Sequence, residues 1–130
     1  MTSARLALID ARLDRRSEIA DLLNAHHHST VPLASLSEFE EARHSLNLDL
    51  LIATVSTSHT GPVDFVRKIR NVHSIPLIII CDFDDILERV IILEAGCDDV
   101  LFEPIHPKEL IARVRSVLRR ARLEGDPFIG

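Results

Sequence analysis

The stretch "IPLIIICDFDDILERVIILEAGCDDVLFEPIHPKELIARVRSVLRR", residues 75–120, decides the fold. Its opening run, Ile75-Pro-Leu-Ile-Ile-Ile80, is continuously apolar, as a central parallel strand buried on both faces should be. Asp85 and Glu88 have the spacing of a helix cap and predict a helix running through Glu94. Gly96 is well placed to end that helix in a left-handed conformation. Val100-Leu-Phe102 predicts another strand, and Pro107 sits at the favoured first turn of a last helix. Leu110, Ile111, Val114, Val117 and Leu118 give that helix one apolar face.

The same alternation runs back to the N-terminus. Leu6–Ile9 is a short apolar strand closed by Asp10, and Ile19, Leu22 and Leu23 mark a surface helix from Arg16 to the His26-His-His28 run. Ser29–Ser35, with Val31 and Leu33 alternating around Pro32, predicts an edge strand. Ser37-Glu-Phe-Glu40 has the form of a capping box opening a second helix, with Phe39, Ala42 and Leu46 inward. Leu50–Val55 is a third strand, and Val63, Val66 and Ile69 follow Gly61-Pro62 on a third helix. Five β-α units with short connections imply an α/β domain whose parallel sheet is covered on both sides. The pattern stops after Arg122, so residues 1–122 are read as one domain and residues 123–130 as a linker or tail.

At 130 residues the chain is long enough for a hydrophobic core without staples. Its composition, 46% apolar and 27% charged, is that of a soluble globular domain. A net charge of −5 makes the domain as a whole a poor binder of polyanions, and no direct nucleic-acid binding is expected of it. Cys81 and Cys97 stand in unlike contexts and are read as buried thiols of a reducing compartment. No signal peptide is recognised before Arg5, and the longest apolar run, Leu77–Cys81, is far too short to span a bilayer. A cytoplasmic location without membrane contact is the expectation.

In an α/β protein, chemistry is usually placed at the carboxyl ends of the strands. Here the third strand runs out through "DLLIATVSTSHTG", residues 49–61, into the hydroxyls of Thr54, Ser56, Thr57 and Ser58, with no carboxylate and no Cys.

Residues 75–120 resemble the second half of a receiver domain from bacterial two-component response regulators. The run Gly96-x-Asp-Asp-x-Leu-x-x-Pro104 and the later Pro107-x-Glu-Leu-x-Ala-Arg-Val114 are most similar to the winged-helix (OmpR/PhoB-type) class. "RLALIDARLDRRSEIADLL" and "LDLLIATVSTSHTGPVDFVRKIR" align with the first half, so the resemblance extends from about Arg5 to Arg122. It implies a flavodoxin-like (CheY-like), doubly wound fold of five parallel strands in the order 2-1-3-4-5 with five helices. It also implies a module that regulates an output and not an enzyme.

A working receiver takes a phosphoryl group from a kinase histidine onto its own Asp. That chemistry needs an attacking carboxylate after strand three and acidic residues after strand one to hold Mg²⁺. It also needs a Lys near strand five and a hydroxyl on strand four to bind the phosphoryl oxygens. By the resemblance, these places are held here by Thr54, by Asp10 with Ala11, by Glu103 and by Cys81, and the aromatic switch position by Val100. A Thr hydroxyl without an activating base is a poor acceptor, and Glu103 puts negative charge where the clamp belongs. No catalytic residue, metal or cofactor is therefore expected, and the pocket reads as a degenerate, phosphorylation-independent one.

The resemblance also implies a two-fold homodimer through helix four, strand five and helix five. The matching apolar patch is Val90, Leu93 and Ala112; the matching ion pairs are Arg89 with Glu109 and Asp98 or Asp99 with Arg113; Arg120 matches an outer Arg. Ordinary surface charges on amphipathic helices are the plainer explanation of any one of these. "RRARLEGDPFIG" resembles the start of a linker to a winged-helix DNA-binding domain, implying transcription control as the output. A stand-alone protein-binding adaptor, a ligand sensor using the vacated pocket, and a residual phosphoacceptor using Thr54 or Asp10 with a non-standard donor are the alternative readings.

Four further features have two readings each. His26-His-His28 is a metal tract or a solvated helix end near the terminal dipole. Asp10 facing Glu103 holds a cation or shares a proton, or one of the two turns to solvent. Cys81 is a redox sensor or an inert core thiol. Arg113, Arg115, Arg119, Arg120 and Arg122 touch nucleic acid, or form a solvated face together with dimer contacts. By the same resemblance, Glu103-Pro104 is expected to be cis.

Overall fold

The computed structural model describes residues 3–56, 61–82 and 84–125, for residues 123–125 the backbone only. Five strands alternate with five helices: β1 (Arg5–Ile9), α1 (Leu13–Ala25), β2 (Ser29–Leu33), α2 (Leu36–Ala42), β3 (Leu50–Val55), α3 (Gly61–Val72), β4 (Leu77–Cys81), α4 (Ile86–Ala95), β5 (Asp99–Phe102) and α5 (Pro107–Gly125). All pairings are parallel and the spatial order is β2-β1-β3-β4-β5. Pro32 lies on β2, an edge strand, as its missing amide donor requires.

Strand side chains alternate between two cores. Leu6, Leu8, Leu50, Ile52, Ile78, Ile80 and Leu101 face α1 and α5, meeting Leu23, Leu110 and Val114. Ala7, Ile9, Leu51, Ala53, Ile79, Cys81 and Val100 meet Phe39, Val66, Ile69 and Ile92 on the other face. The unbroken apolar run of β4 follows from this: both of its faces are covered, and every residue is buried.

Some boundaries differ from expectation, and two of the differences matter. α1 begins at Leu13, three residues before Arg16, which places Arg15 in the first turn, beside the carboxyl end of β1. α2 is capped by Ser35 and not by Ser37. Ser35 is extended (φ −154°, ψ 165°), and its hydroxyl accepts from the Glu38 amide at 3.2 Å. The Glu38 carboxylate accepts in turn from the Ala34 amide. Both Ser35-x-x-Glu38 and Ser37-x-x-Glu40 satisfy the cap spacing, so local sequence is degenerate there. The earlier start buries Phe39 completely and leaves Glu40 to pair with Arg43 at 3.2 Å. Leu46, expected inside this helix, lies past its end at Ala42.

Asp85 caps α4 as expected, accepting from the amides of Leu87 and Glu88. Gly96 ends that helix at φ +123°, positive but outside the left-handed helical value. α5 continues to Gly125, three residues past the end of the apolar pattern. The Glu103-Pro104 bond is cis. Thr57 and Ser58 lie outside the described residues, as do residues 126–130 of the expected tail.

Candidate functional site

The loops after β1, β3, β4 and β5 meet at one end of the sheet and bring distant side chains together. Asp10 leaves the end of β1 wholly buried. Its Oδ1 accepts from the Arg12 amide at 2.9 Å, which turns the chain into α1. The first turn of α1 then swings Arg15 back over the strand end. Arg15 donates to both oxygens of Asp10, from Nε to Oδ2 at 2.6 Å and from Nη2 to Oδ1 at 3.0 Å. Its Nη1 donates to Glu103 Oε1, also at 2.6 Å. Arg16 anchors the same turn by donating to the Asp10 carbonyl at 2.9 Å.

Thr54, next to last on β3, has no base in hydrogen-bond contact among the described residues. Its hydroxyl donates to the Ile9 carbonyl at 3.4 Å and receives Arg15 Nη2 at the same distance. Further out, Ser56 donates to Asp82 at 3.1 Å. A cavity of about 280 Å³ opens here, with Arg12, Arg15, Thr54, Ser56, Asp82 and Glu103 on its walls.

Electrostatically the pocket is a cation held between two anions. Hydrogen bonding to Asp10 is the largest influence and holds the Arg15 guanidinium charged to above its ordinary pKa, against the opposing cost of burial. Asp10 and Glu103 do meet one site, and what stands between them is Arg15. Sequence reasoning missed this residue because the helix was started one position after it. The signal was present: two carboxylates brought to one buried site require a counter-charge, and Arg15 lies five residues past Asp10.

The remaining pocket positions diverge. Ala11 is exposed and carries no polar group. Cys81 points away from the cavity into the core on the α3 and α4 side, and burial pushes its thiol up to about 12. Cys97 is equally buried, free and likewise pushed up to about 12. Val100 is core. The aromatic at this end of β5 is Phe102, whose ring lies 4.8 Å from the guanidinium carbon of Arg89.

On the α4–β5–α5 side, Val90 and Leu93 are both exposed, and so are Ile86, Leu87 and Ile91. Sequence reasoning omitted the last three, although α4 is apolar on almost every side and its composition signals it. Only Ile92 of this helix is buried. Ala112 on α5 is also exposed. The charges are engaged within the chain. Arg89 pairs with Asp84 at 2.8 Å, and Arg113 with Asp99 at 3.5 Å and Glu109 at 3.7 Å. Asp98, itself exposed, pairs with Arg70 at 3.2 Å and accepts from the Leu77 amide at 2.8 Å, while Arg120 donates to its carbonyl at 3.4 Å.

The three histidines sit in different surroundings. His26 contacts the Leu22 carbonyl through Nδ1 at 3.0 Å, His27 is exposed with φ +70°, and His28 is buried. Among the described residues, no three His, Cys, Asp or Glu side chains are grouped to hold a metal, and no helix is long and apolar enough to cross a membrane.

No family model matches the chain. Its sequence is 36% identical to CpxR of Escherichia coli, a transcriptional regulatory protein, over 75 residues, which is 58% of this chain and 32% of CpxR. It is 30% identical to the regulatory protein VanR of Enterococcus faecium over 112 residues, 83% of this chain and 48% of VanR. The chain thus spans about half or less of the length of these curated relatives. A two-component response regulator from Clostridium difficile superposes with a TM-score of 0.81 at 24% identity, covering 91% of this chain and 98% of that one. A receiver domain protein (CheY-like) from Methanospirillum hungatei superposes with a TM-score of 0.81 at 14% identity, covering 95% and 99%. At such identities the superpositions speak to the fold.

Proposed function

We propose that this chain, a receiver domain of the response-regulator type, works without phosphorylation and controls its output by forming a homodimer through the α4–β5–α5 face. One observation carries the first half. The side chain at the acceptor position is a hydroxyl, Thr54, held between a carbonyl and a guanidinium with no base in contact to activate it among the described residues. Support for the second half comes from the exposed side chains Ile86, Val90 and Leu93 on α4, from exposed Ala112 on α5, and from the ion pairs of Arg113 with Asp99 and Glu109. Apolar contact would supply affinity and the charges register.

The output is proposed to be transcription control, through a DNA-binding domain in the complete protein, because CpxR is a transcriptional regulator. The module itself is proposed to be non-enzymatic and cytoplasmic.

Sedimentation equilibrium over a concentration series, with and without Mg²⁺ and a small-molecule phosphodonor, tests the reading. A dimer indifferent to both additives is expected. A monomer under all conditions would transfer the face to a heterologous protein partner. A monomer converted to dimer by the donor would overturn phosphorylation independence.

A further inference from the structure

Asp10 and Glu103 approach the same point from opposite sides of the pocket, and their like charges would hold them apart. Arg15 removes the conflict with a single side chain. Nε and Nη2 grip Asp10, and Nη1 reaches Glu103, so a planar fork spans both carboxylates. Arg15 and Glu103 lie 88 residues apart in sequence. The bridge joins the first turn of α1 and the end of β1 to the segment between β5 and α5. The residue preceding Glu103 is Phe102, whose ring is covered by Arg89 of α4. A continuous line of contacts therefore runs from Asp10 through Arg15, Glu103 and Phe102 to the apolar helix.

We propose that Arg15 is a positioning residue, a built-in cation that latches the β5–α5 segment to β1 and so keeps the α4–β5–α5 face in one arrangement without any diffusible ligand. This rests on the reading of that face as the homodimer surface. The latch differs from an ordinary surface pair because one of its partners, Asp10, is wholly buried and fixed by the Arg12 amide as well. Its other partner, Glu103, is partly exposed, at 27%.

Glu103→Gln is the informative variant, since it weakens the outer arm and leaves Asp10 paired. Amide hydrogen exchange over residues 101–106 and the dimer dissociation constant are read together with the urea midpoint. Exchange faster by about tenfold and dimerisation weaker by a similar factor are expected, the size of one charge-assisted hydrogen bond. The urea midpoint should fall by no more than that one bond accounts for. Arg15→Lys, with a compact ammonium that cannot fork across both carboxylates, should give the same signature. Exchange within about twofold of wild type in both variants would overturn the latch, being smaller than such a bond predicts. If wild type is monomeric, the homodimer reading fails separately, and exchange over residues 101–106 alone still decides whether the latch exists.

Discussion

Each end of the sheet is organised by one arginine, and the two are used differently. At the carboxyl end, Arg15 lies between the side chains of Asp10, Thr54 and Glu103. At the amino end, Arg70 donates mainly to backbone: the Gly96 carbonyl at 2.8 Å, Ile75 at 2.7 Å and His73 at 3.3 Å, with Asp98 added at 3.2 Å. Arg70 stitches turns, satisfying carbonyls that the ends of α3 and α4 leave open. Arg15 neutralises charge that the fold has gathered in one place. The same side chain is scaffold at one end and counter-ion at the other.

The largest effect is expected at Arg15. Arg15→Met leaves the buried Asp10 anion with only the Arg12 amide, and a loss of about 3–5 kcal/mol in urea unfolding is expected, the usual consequence of orphaning a buried charge. Adding Asp10→Asn should recover most of that loss. If Arg15→Met alone unfolds as readily as wild type, the guanidinium is not the counter-ion described.

A smaller effect is expected at the other end. Arg70→Met opens three carbonyls toward solvent, and Asp98 keeps its bond from the Leu77 amide. The expected loss is about 1–3 kcal/mol by the same measurement. No partner substitution at Asp98 should rescue it, because the loss is in backbone bonds. Rescue by Asp98→Asn would erase the distinction between the two arginines.

The smallest effect is one of pH, and it belongs to the amino end. His28 sits just before β2, 4% exposed, with neither ring nitrogen hydrogen-bonded among the described residues. Burial lowers its pKa below the ordinary 6.5, and Arg115, His26 and His27 add to the depression. His73, beside Arg70, is lowered in the same direction, again first by burial. The unfolded chain therefore binds protons that the native state refuses, so this stability is fully present above pH 6.5 and is lost as pH falls below it. Urea midpoints across pH 5 to 8 should decline on the acid side, and His28→Leu should flatten the curve. A midpoint that rises on acidification would reverse the assignment.

Much of the architecture was legible because it depends on short-range pattern. β3 was bounded by apolar run length, β4 by its continuity, and α4 by the Asp85 cap and Gly96. The failures were local ambiguities that packing resolved. Two overlapping cap motifs compete near Ser35, and burial of Phe39 selects the first. The start of α1 was set too late because Leu13, at 67% exposure, adds nothing to an apolar stripe. At the site, the convergence of Asp10, Thr54 and Glu103 was expected from the resemblance. Cys81 was expected alongside them, yet its place on the pleat turns it into the core, and its neighbour Ile80 lines the cavity instead.

The sequence by itself determined the number and order of the elements, the buried character of the sheet and the absence of a carboxylate from Thr54's position. These follow from periodicity, turn chemistry and residue identity, all of which act over a few residues. Only the tertiary structure decided that Arg15 bridges Asp10 and Glu103, that Asp98 pairs with Arg70, and that α4 leaves Ile86, Leu87 and Ile91 uncovered. Each of these depends on which long side chain reaches a charge or a surface supplied by a distant segment. Local pattern carries no record of that distance, and electrostatics and packing act only after the chain has closed it.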